Sequence, residues 1–390
     1  MPAIRALDKL EDILASSENF LQRMHERGND PYKQKQLNRL FSPSEAAEMV
    51  GRDRTTLARA EAELGFESLQ RNPANNRRVG YTLEQVQNFR QHFGTLPWRA
   101  TAEAPLMIAC QNFKGGVGKS TTCVNFAHYL ALKGYRVLVV DTDSQATTTS
   151  MFGYMPDAQI QEQHTLLPYL DSSESTLVYA VRKTYWPNID LIPSCLALYD
   201  AELAIAAHLA TQDDRAKRLD FFSELKFGLQ TVSEHYDVIL LDSPPSLGLI
   251  SINVLLAADC LLVPTAPRMH DFTSTVQFFR MVRNYISQID VDKEYRWISV
   301  LTTLFDQRLV SHKEFFGVMQ ACFGDVILQH VFFQSSEIIN SAVQYLGSYE
   351  QPKPNRRVLE MLDGVFGEIE IRILREWPSK RAMLNEKGIV

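Results

Sequence analysis

The chain has 390 residues, of which 45% are hydrophobic and 22% charged, and its formal net charge at pH 7 is −6. This length suggests two or three domains, and the composition excludes a disordered or fibrous chain. No apolar run reaches the roughly 18 residues of a membrane span, and no secretory signal is visible, so we expect a soluble cytoplasmic protein. The cysteines and histidines show no zinc-site spacing.

The negative charge is unevenly distributed. Residues 1–100 carry 15 Lys and Arg against 13 Asp and Glu, whereas the remaining 290 residues carry 25 against 33. Between Arg71 and Arg99 there are five arginines and one acid, Glu84. This distribution disfavours nucleic-acid binding over the whole surface but leaves a basic region near the N-terminus.

Apolar residues at three- and four-residue spacing predict an amphipathic helix from Leu7 to about Glu26, which Gly28 and Pro31 end. Such a helix must bury its apolar stripe. Packing on its own domain and contact with a second copy both stay open. We assign residues 1–38 to this N-terminal helix and expect it to dimerise.

The next segment has the pattern of a helix-turn-helix. Ser42, Pro43 and Glu45 begin a capped helix, Gly51 makes a turn, and a second helix runs from about Arg54 to Leu64. In this motif the first residues of the second helix meet the base edges. The predicted DNA-binding residues are therefore Arg52, Arg54, Thr55, Thr56 and Arg59.

A basic, turn-rich segment from Asn75 to Tyr81 follows, and a third helix is expected from Thr82 to Phe93. A basic hairpin after a recognition helix is typical of the wing of a winged helix, which adds Arg77 and Arg78 to the predicted DNA contacts. A helical linker domain with solvated arginines is the alternative. Prolines and a loss of periodicity near residue 100 mark the boundary of the predicted winged helix-turn-helix domain, residues 39–98.

From residue 105 onward, short apolar runs alternate with helical stretches. Their continuous Val, Ile and Leu predicts strands that are covered on both faces, hence a parallel sheet with crossover helices. The predicted strands are Leu106–Cys110, Val137–Val140, Ile189–Ile192, Val238–Leu241, Cys260–Val263 and Ile298–Leu301. The predicted fold class is α/β: a P-loop NTPase domain over residues 105–390, preceded by the α-helical winged helix-turn-helix domain.

The strongest chemical signal is a glycine-rich segment directly after the first predicted strand and directly before a helix. It consists of Lys114, Gly115, Gly116, Val117, Gly118, Lys119, Ser120 and Thr121. In this context the backbone N–H groups converge on phosphates, Lys119 reaches the β- and γ-phosphates, and the Ser120 hydroxyl binds Mg²⁺. Phe113 replaces the first glycine of the strict phosphate-loop pattern, and Lys114 is a second lysine near the loop start.

Two later strands end in carboxylates: Asp141 and Asp143 after one, and Asp242 after the other. Because ligands bind at the carboxyl ends of parallel strands, these acids should face the loop. One can hold Mg²⁺, and either Asp141 or Asp143 could position an attacking water. Capping of the following helix is the alternative for each acid alone.

Together these segments resemble the motifs of the ParA/MinD superfamily. Lys114 to Ser120 resembles its deviant Walker A motif, whose hallmark is the extra lysine, while Asp141 to Gln145 and Asp242 to Pro245 match its other two motifs. Thr303 to Arg308 is similar to a further family segment. With the winged-helix-like domain in front, the chain resembles the large (type Ia) ParA partition ATPases, and most of all the RepA proteins of RepABC replicons.

The resemblance implies ATP and Mg²⁺ as cofactors and ATP-driven dimerisation. It would make Lys114, which reaches the partner's nucleotide, and Asp143, which activates water, the catalytic residues. Ser120 and Asp242 would bind magnesium, and the whole segment from Lys114 to Thr121 the nucleotide. Ser144 stands where the family usually has Pro. Surface arginines that are only candidates for nonspecific DNA binding are Arg280, Arg283, Arg356 and Arg357.

The implied function is a nucleoid-associated DNA partition ATPase. It would bind nonspecific DNA in the ATP state, bind its operator as an autorepressor, act as a homodimer or filament without a membrane, and be stimulated by a ParB-type centromere-binding protein. A MinD-like membrane-positioning ATPase is an alternative, but it needs a basic amphipathic C-terminal helix, and Pro378 breaks the tail. A repressor with a regulatory nucleotide-binding domain and an iron–sulfur reductase are the others; no cysteine arrangement supports the reductase.

Overall fold

The structure is a computed structural model that describes residues 6–26, 35–66, 80–156, 158–200, 202, 205–206, 221–289, 293–351, 353–386 and 388. Its strands are β1 Leu106–Cys110, β2 Val137–Asp141, β3 Arg182–Lys183, β4 Ile189–Ile192, β5 Val238–Asp242, β6 Cys260–Thr265 and β7 Trp297–Thr302. The N-terminal helices are α1 Ala6–Glu26, α2 Pro43–Val50, α3 Arg54–Glu63 and α4 Leu83–Phe93. The later helices are α5 Lys119–Lys133, α6 Thr147–Met151, α7 Leu167–Leu170, α8 Glu224–Gln230, α9 Leu249–Ala257, α10 Met269–Ile289, α11 Val310–Phe323, α12 Ser336–Val343, α13 Arg356–Glu376 and α14 Pro378–Glu386.

The strands form one sheet in the order β3-β4-β2-β5-β1-β6-β7, parallel except for the antiparallel pair of β3 and β4. All six strands predicted from continuous apolar runs are confirmed, and the α/β fold class with them. The edge strand β3 was not predicted, because its residues Arg182 and Lys183 carry no apolar pattern. Every residue of β1, β2 and β5 is buried, which is why these strands read as unbroken Val, Ile and Leu.

The strand order decides where the functional groups meet. β5 lies between β1 and β2, and its last residue, Asp242, pairs with Cys110 at the end of β1 and with Asp141 at the end of β2. The loop that joins β1 to α5 therefore begins beside both carboxylates. This central edge of the sheet is the position at which open parallel sheets bind ligands.

The helices predicted in the N-terminal region are confirmed, and so is the predicted cap of α2; Gly28 and Pro31, which were expected to end α1, lie outside the described residues. Ser42 accepts a hydrogen bond from the amide of Glu45 while Glu45 returns one to the Ser42 amide, so the predicted capping box starts α2. Gly51 ends α2 with a φ of +71°, a left-handed conformation that glycine adopts at little cost. Phe41 and Tyr81 pair through both backbone hydrogen bonds and join the segment before α2 to the segment before α4.

The N-terminal unit, formed by α2, α3, α4 and the segments that connect them, packs directly on the C-terminal end of α5. The buried Arg90 of α4 donates to the carbonyl of Leu132 at 2.7 Å, and Gln87 donates to the carbonyl of Ala131 at 3.1 Å. Trp98 donates to the carbonyl of Gly134 at 2.9 Å. Burial lowers the pKa of Arg90 to about 10. These side chains donate to carbonyls at the end of α5 and at its C-cap, Gly134, where fewer helical N–H groups are available.

Among the helices in the described ranges, none combines the length and the apolarity that crossing a bilayer requires. The tail divides where the sequence predicts a break: α13 ends at Glu376 and α14 begins at Pro378.

Candidate active site and DNA-binding face

The glycine-rich loop between β1 and α5 depends on left-handed backbone conformations. Gly116 and Gly118 have φ values of +75° and +85°, which disfavour any residue with a Cβ. The Thr303 hydroxyl donates to the carbonyl of Val117 at 2.8 Å and fixes the loop from the end of β7. The loop therefore leads directly into the first turn of α5, where helical N–H groups are available to an anion.

Lys119, the first residue of α5, is buried at the mouth of this loop. Its Nζ donates to the carbonyl of Lys114 at 3.2 Å, a neutral partner that a phosphate oxygen can replace. Burial lowers the pKa of Lys119, and the nearby Asp242 carboxylate partly opposes this shift. A desolvated ammonium of this kind gains most from an anionic ligand.

The structure brings the predicted carboxylates together beside the loop. Asp141 and Asp242 are fully buried, and Asp143 is 6% exposed. Burial raises the pKa of Asp141 well above its usual range, and the neighbouring Asp242 adds to the effect. Burial also raises the pKa of Asp242, to about 6. Buried, mutually repelling acids of this kind are stabilised by a positive charge between them.

The surroundings of Asp242 fit a divalent cation. Its Oδ2 accepts a hydrogen bond from the Thr148 hydroxyl at 2.7 Å, whereas its Oδ1 is buried without a hydrogen bond of normal geometry. Ser120 lies against the same carboxylate and, like Thr148, lowers its pKa, although burial dominates. A carboxylate oxygen beside a hydroxyl is a suitable ligand pair for Mg²⁺.

Asp143 is held differently from Asp141. One oxygen of Asp143 accepts from the Gln145 amide at 3.0 Å within the turn. Asp141 accepts from the amide of Asp143 at 3.2 Å, and from the amide and hydroxyl of Thr149 at 2.8 and 2.7 Å. Both carboxylate oxygens of Asp141 thus accept hydrogen bonds, so this carboxylate serves mainly to fix the segment that connects β2 to α6.

Three threonines of this site were missed by sequence reasoning. Thr148 and Thr149, in α6, hold the two buried acids, and Thr303 holds the glycine-rich loop. The run of threonines after the predicted acids was the signal that could have identified the first two. Thr303 was noted only as the first residue of the family-like segment Thr303 to Arg308, and its contact with the loop was not predicted, because its partner lies 186 residues away along the chain.

A cavity of about 460 Å³ adjoins the loop. Its walls are mostly apolar and include Thr121, Phe332 and Ile338, with Gly116 and Gly118 at the loop side. A volume of about 460 Å³ lies within the range of small-molecule sites.

The predicted recognition helix, α3, presents polar side chains to solvent while Leu57 and Ala60 are buried. Arg54, Thr55 and Arg59 are exposed, and Thr56 is half-buried. Asp53 caps the helix: it accepts from the Thr55 and Thr56 amides at 2.9 and 3.0 Å and also from both hydroxyls. The two threonine hydroxyls are therefore engaged locally, and Arg54 and Arg59 have greater reach.

Arg52 lies just before this helix, with its guanidinium 5.6 Å from the centre of the Phe93 ring and 3.0 Å from the carbonyl of Gly51. The predicted wing arginines, Arg77 and Arg78, lie outside the described residues.

Comparison with known proteins agrees with this geometry. Residues 106–294 match the family model described as an AAA domain, which covers the sheet from β1 to the end of α10. The chain is 32% identical to the protein SopA of Escherichia coli K12 over 358 residues, 89% of this chain and 92% of that protein. It is 28% identical to a Rhizobium rhizogenes protein described as a replication protein A over 390 residues, 95% of each chain.

Solved structures extend the likeness to the fold. A structure described as a partition protein covers 94% of this chain and 99% of its own, with a TM-score of 0.65 at 19% identity. The cobyrinic acid a,c-diamide synthase of Mycobacterium smegmatis, with a bound ATP analogue and magnesium, covers 62% of this chain and 91% of its own, with a TM-score of 0.50 at 26% identity. ATP and Mg²⁺ are accordingly the cofactors of this fold family. The loop, the acids and the near full-length likeness to SopA show that the chain belongs to the ParA family of partition ATPases, within the ParA/MinD superfamily.

Proposed function

We propose that this protein hydrolyses ATP with Mg²⁺ and uses the nucleotide to control its binding to DNA during DNA partition. The observation that carries the proposal is the meeting of Lys119, Asp143 and Asp242 beside the glycine-rich loop, at the central edge of the sheet. Family membership supports it.

The triphosphate is bound by the loop, from Lys114 to Thr121. Backbone N–H groups and the start of α5 cradle the phosphates, and Lys119 exchanges the Lys114 carbonyl for a phosphate oxygen. Ser120 and Asp242 hold Mg²⁺, which neutralises phosphate charge when bound. The adjoining 460 Å³ cavity takes the base of the nucleotide.

Asp143 is the residue we propose to orient the attacking water. Asp141 is bound to Thr149 and to the Asp143 amide, whereas Asp143 is fixed by the turn through the Gln145 amide. Positioning of the nucleophile contributes much of the catalysis of phosphoryl transfer, because the transition state requires little covalent help.

Dimerisation is the second part of the proposal. Lys114, half-buried at the loop start, reaches the nucleotide of the partner copy. The N-terminal helix, assigned to residues 1–38, supplies a further contact: Leu7, Leu10 and Leu14 of α1 are 73%, 53% and 56% exposed. An apolar stripe left in water favours a partner, and a second α1 offers a matching surface.

DNA binding is the third part. We propose that the winged helix-turn-helix domain, residues 39–98, binds the operator through α3 as an autorepressor, and that the ATP state binds DNA nonspecifically on the nucleoid in the cytoplasm. A ParB-type centromere-binding protein stimulates hydrolysis. Arg54 and Arg59 support the operator contact, because they are exposed on a helix whose other face is buried.

A membrane-positioning role receives less support. That role requires a basic amphipathic C-terminal helix that can lie on a membrane. In α14, however, Leu384 is 2% exposed and Ser379 hydrogen-bonds to Glu103, so this helix packs on the domain. A repressor with a merely regulatory nucleotide site differs from our proposal in one measurable respect, the turnover of ATP.

Phosphate release from ATP tests the proposal. Wild-type protein should turn over ATP only with Mg²⁺, and faster when random DNA and the centromere-binding protein of the same replicon are added. Asp143→Ala should bind ATP but release little phosphate. Tight ATP binding without turnover in the wild type, under all these conditions, would favour the repressor instead.

A further inference from the structure

Lys35 is a buried lysine whose hydrogen bonds and counter-charge, among the described residues, come from segments far away along the chain. Its side chain is 8% exposed, and its Nζ donates to the carbonyls of Met151, at 2.7 Å, and Tyr345. Glu350 lies 3.9 Å away as a counter-charge. Burial lowers the pKa of Lys35, which Glu350 partly opposes. Burying an ammonium is costly, so such a contact stabilises one particular arrangement of these segments.

The carbonyl of Met151 belongs to the last residue of α6, the helix that holds the two buried acids. At the start of α6, Thr148 donates to Asp242, and Thr149 donates to Asp141. The whole helix, from Thr147 to Met151, has only five residues. The proposed magnesium site and Lys35 are therefore attached to opposite ends of one short helix.

The turn that leads into α6 is strained. Ala146 has a φ of +53°, a left-handed conformation that is unfavourable for a residue with a Cβ. Such a conformation persists only where the surrounding contacts over-determine it. Lys35 supplies one of those contacts at the far end of α6, and the Tyr185 hydroxyl, 3.4 Å from the same Met151 carbonyl, supplies another.

The backbone at Lys35 leads within six residues into the N-terminal unit. Arg39 donates to the carbonyl of Tyr349 at 3.0 Å, and Phe41 pairs with Tyr81 in the core of that unit. The segment from residue 35 to 41 thus has one end seated against α6 and the other fixed beside α2 and α4.

We propose that Lys35 is a positioning residue for the magnesium site: through α6 it holds Thr148 and Thr149 against Asp242 and Asp141. The inference rests on the proposed function, since it assumes that Asp242 binds magnesium. The same contact couples the N-terminal unit to the nucleotide. Because such coupling is reciprocal, binding of Mg²⁺ and nucleotide should in turn stabilise the packing of residues 35–41 against α6.

The test is Lys35→Met in the full chain, which removes the charge of the side chain and nearly keeps its length. The measurements are kcat, the Mg²⁺ concentration for half-maximal turnover, and the affinity for fluorescent ADP in EDTA. We expect the half-maximal Mg²⁺ concentration to rise about 5-fold or more, within the usual range of coupling between sites. We expect kcat to fall and metal-free ADP affinity to stay unchanged. If Lys35 only stabilised the fold, the Lys35→Met protein would show an unaltered half-maximal Mg²⁺ concentration when it is assayed well below its melting temperature.

Two further variants separate positioning from folding. Lys35→Met leaves Glu350 buried without its partner, so the double variant Lys35→Met with Glu350→Gln removes both charges and should still show the raised Mg²⁺ requirement. Lys183→Met is the matched control, because Lys183 lines a surface cavity together with Lys35 but its side chain is 84% exposed. The contacts of Arg90 and Trp98 with the end of α5 are untouched by these substitutions, so the N-terminal unit should remain docked in every variant.

Hydrogen exchange of the wild type decides the matter if both Lys35 variants fail to fold. Adding Mg²⁺ and ADP should slow exchange of the amides of residues 35–41, and Asp242→Asn should abolish that change. A normal Mg²⁺ requirement in a folded Lys35→Met protein, or unchanged exchange in the wild type, overturns the inference and leaves the proposed function intact. Absence of ATP turnover in the wild type overturns the proposed function itself.

Discussion

The proposed nucleotide site and the proposed DNA-binding face are built in opposite ways. At the proposed nucleotide site, Lys119, Asp141 and Asp242 are buried. Asp141 and Asp242 end paired strands and are both held by α6, and the Asp242 carboxylate lies near Lys119, so each residue depends on the rest. On α3, Arg54 and Arg59 are exposed and stand on a helix whose stability depends on Leu57, Ala60 and the Asp53 cap. The contrast teaches that substitutions at the first region should have large, non-additive effects, while those at the second should have small, additive ones.

The largest effect is expected for Lys119→Ala. Removing the buried ammonium leaves the phosphates without their charge partner, so ATP and ADP affinity should each fall at least about 100-fold. Isothermal titration with each nucleotide measures this. Nearly wild-type affinity would break the comparison, because it would show that the buried lysine is dispensable.

Lys114→Ala sharpens the comparison within the loop itself. Lys114 is half-buried where Lys119 is buried, and we expect it to act on the partner's nucleotide. ADP affinity should be unchanged, whereas hydrolysis should fall about 1,000-fold, as for other cations supplied from a second subunit, and ATP-driven association should weaken. Equal loss of ADP affinity in the Lys114 and Lys119 variants would mean that Lys114 is only a second phosphate-binding lysine.

Asp143→Ala should separate binding from chemistry. Loss of the water-orienting carboxylate should slow turnover about 100-fold or more and trap the ATP-bound state. Single-turnover phosphate release with a parallel ATP-binding measurement tests this, and Gln145→Ala is a control for disturbance of the same turn. Wild-type turnover in Asp143→Ala would move the role to Asp141 or to another residue.

Arg54→Ala should give the smallest effect. Loss of one base-edge contact should weaken operator binding by about 1–3 kcal/mol and relax specificity at one position, with no change in ATP turnover. Binding to a set of single-base operator variants checks the position. Arg59→Ala is the additivity partner: a double variant whose loss greatly exceeds the sum would show that the DNA-binding face is as interdependent as the nucleotide site.

The same contrast explains what the sequence could predict. The strands and the glycine-rich loop were predictable, because burial on both faces enforces continuous apolar runs, and the φ values of Gly116 and Gly118 require glycine. Convergence of Asp141 with Asp242 followed from the rule that parallel strands end together. The bounds of α2 were predictable from its capping box and from Gly51 at its end.

Long-range packing was not predictable. Lys35 contacts Met151, Tyr345 and Glu350, and no local pattern marks a lysine that will be buried by segments 116 and 310 residues away. The docking of Arg90 on the end of α5 is similar, because an arginine late in an amphipathic helix usually remains in solvent. Such contacts depend on how complete elements pack, which the order of residues within each element does not specify.

The most direct test of the account is the nucleotide dependence of DNA binding, measured on an operator duplex and a random duplex of equal length. The experiment compares protein with ATP, with ADP and without nucleotide, at one salt concentration because phosphate contacts are salt-dependent. We predict that random DNA is bound tightly only with ATP, and that Lys119→Ala loses this response but keeps operator binding through α3. Equal binding of both duplexes in all three conditions would contradict the claim that the nucleotide site controls binding to DNA.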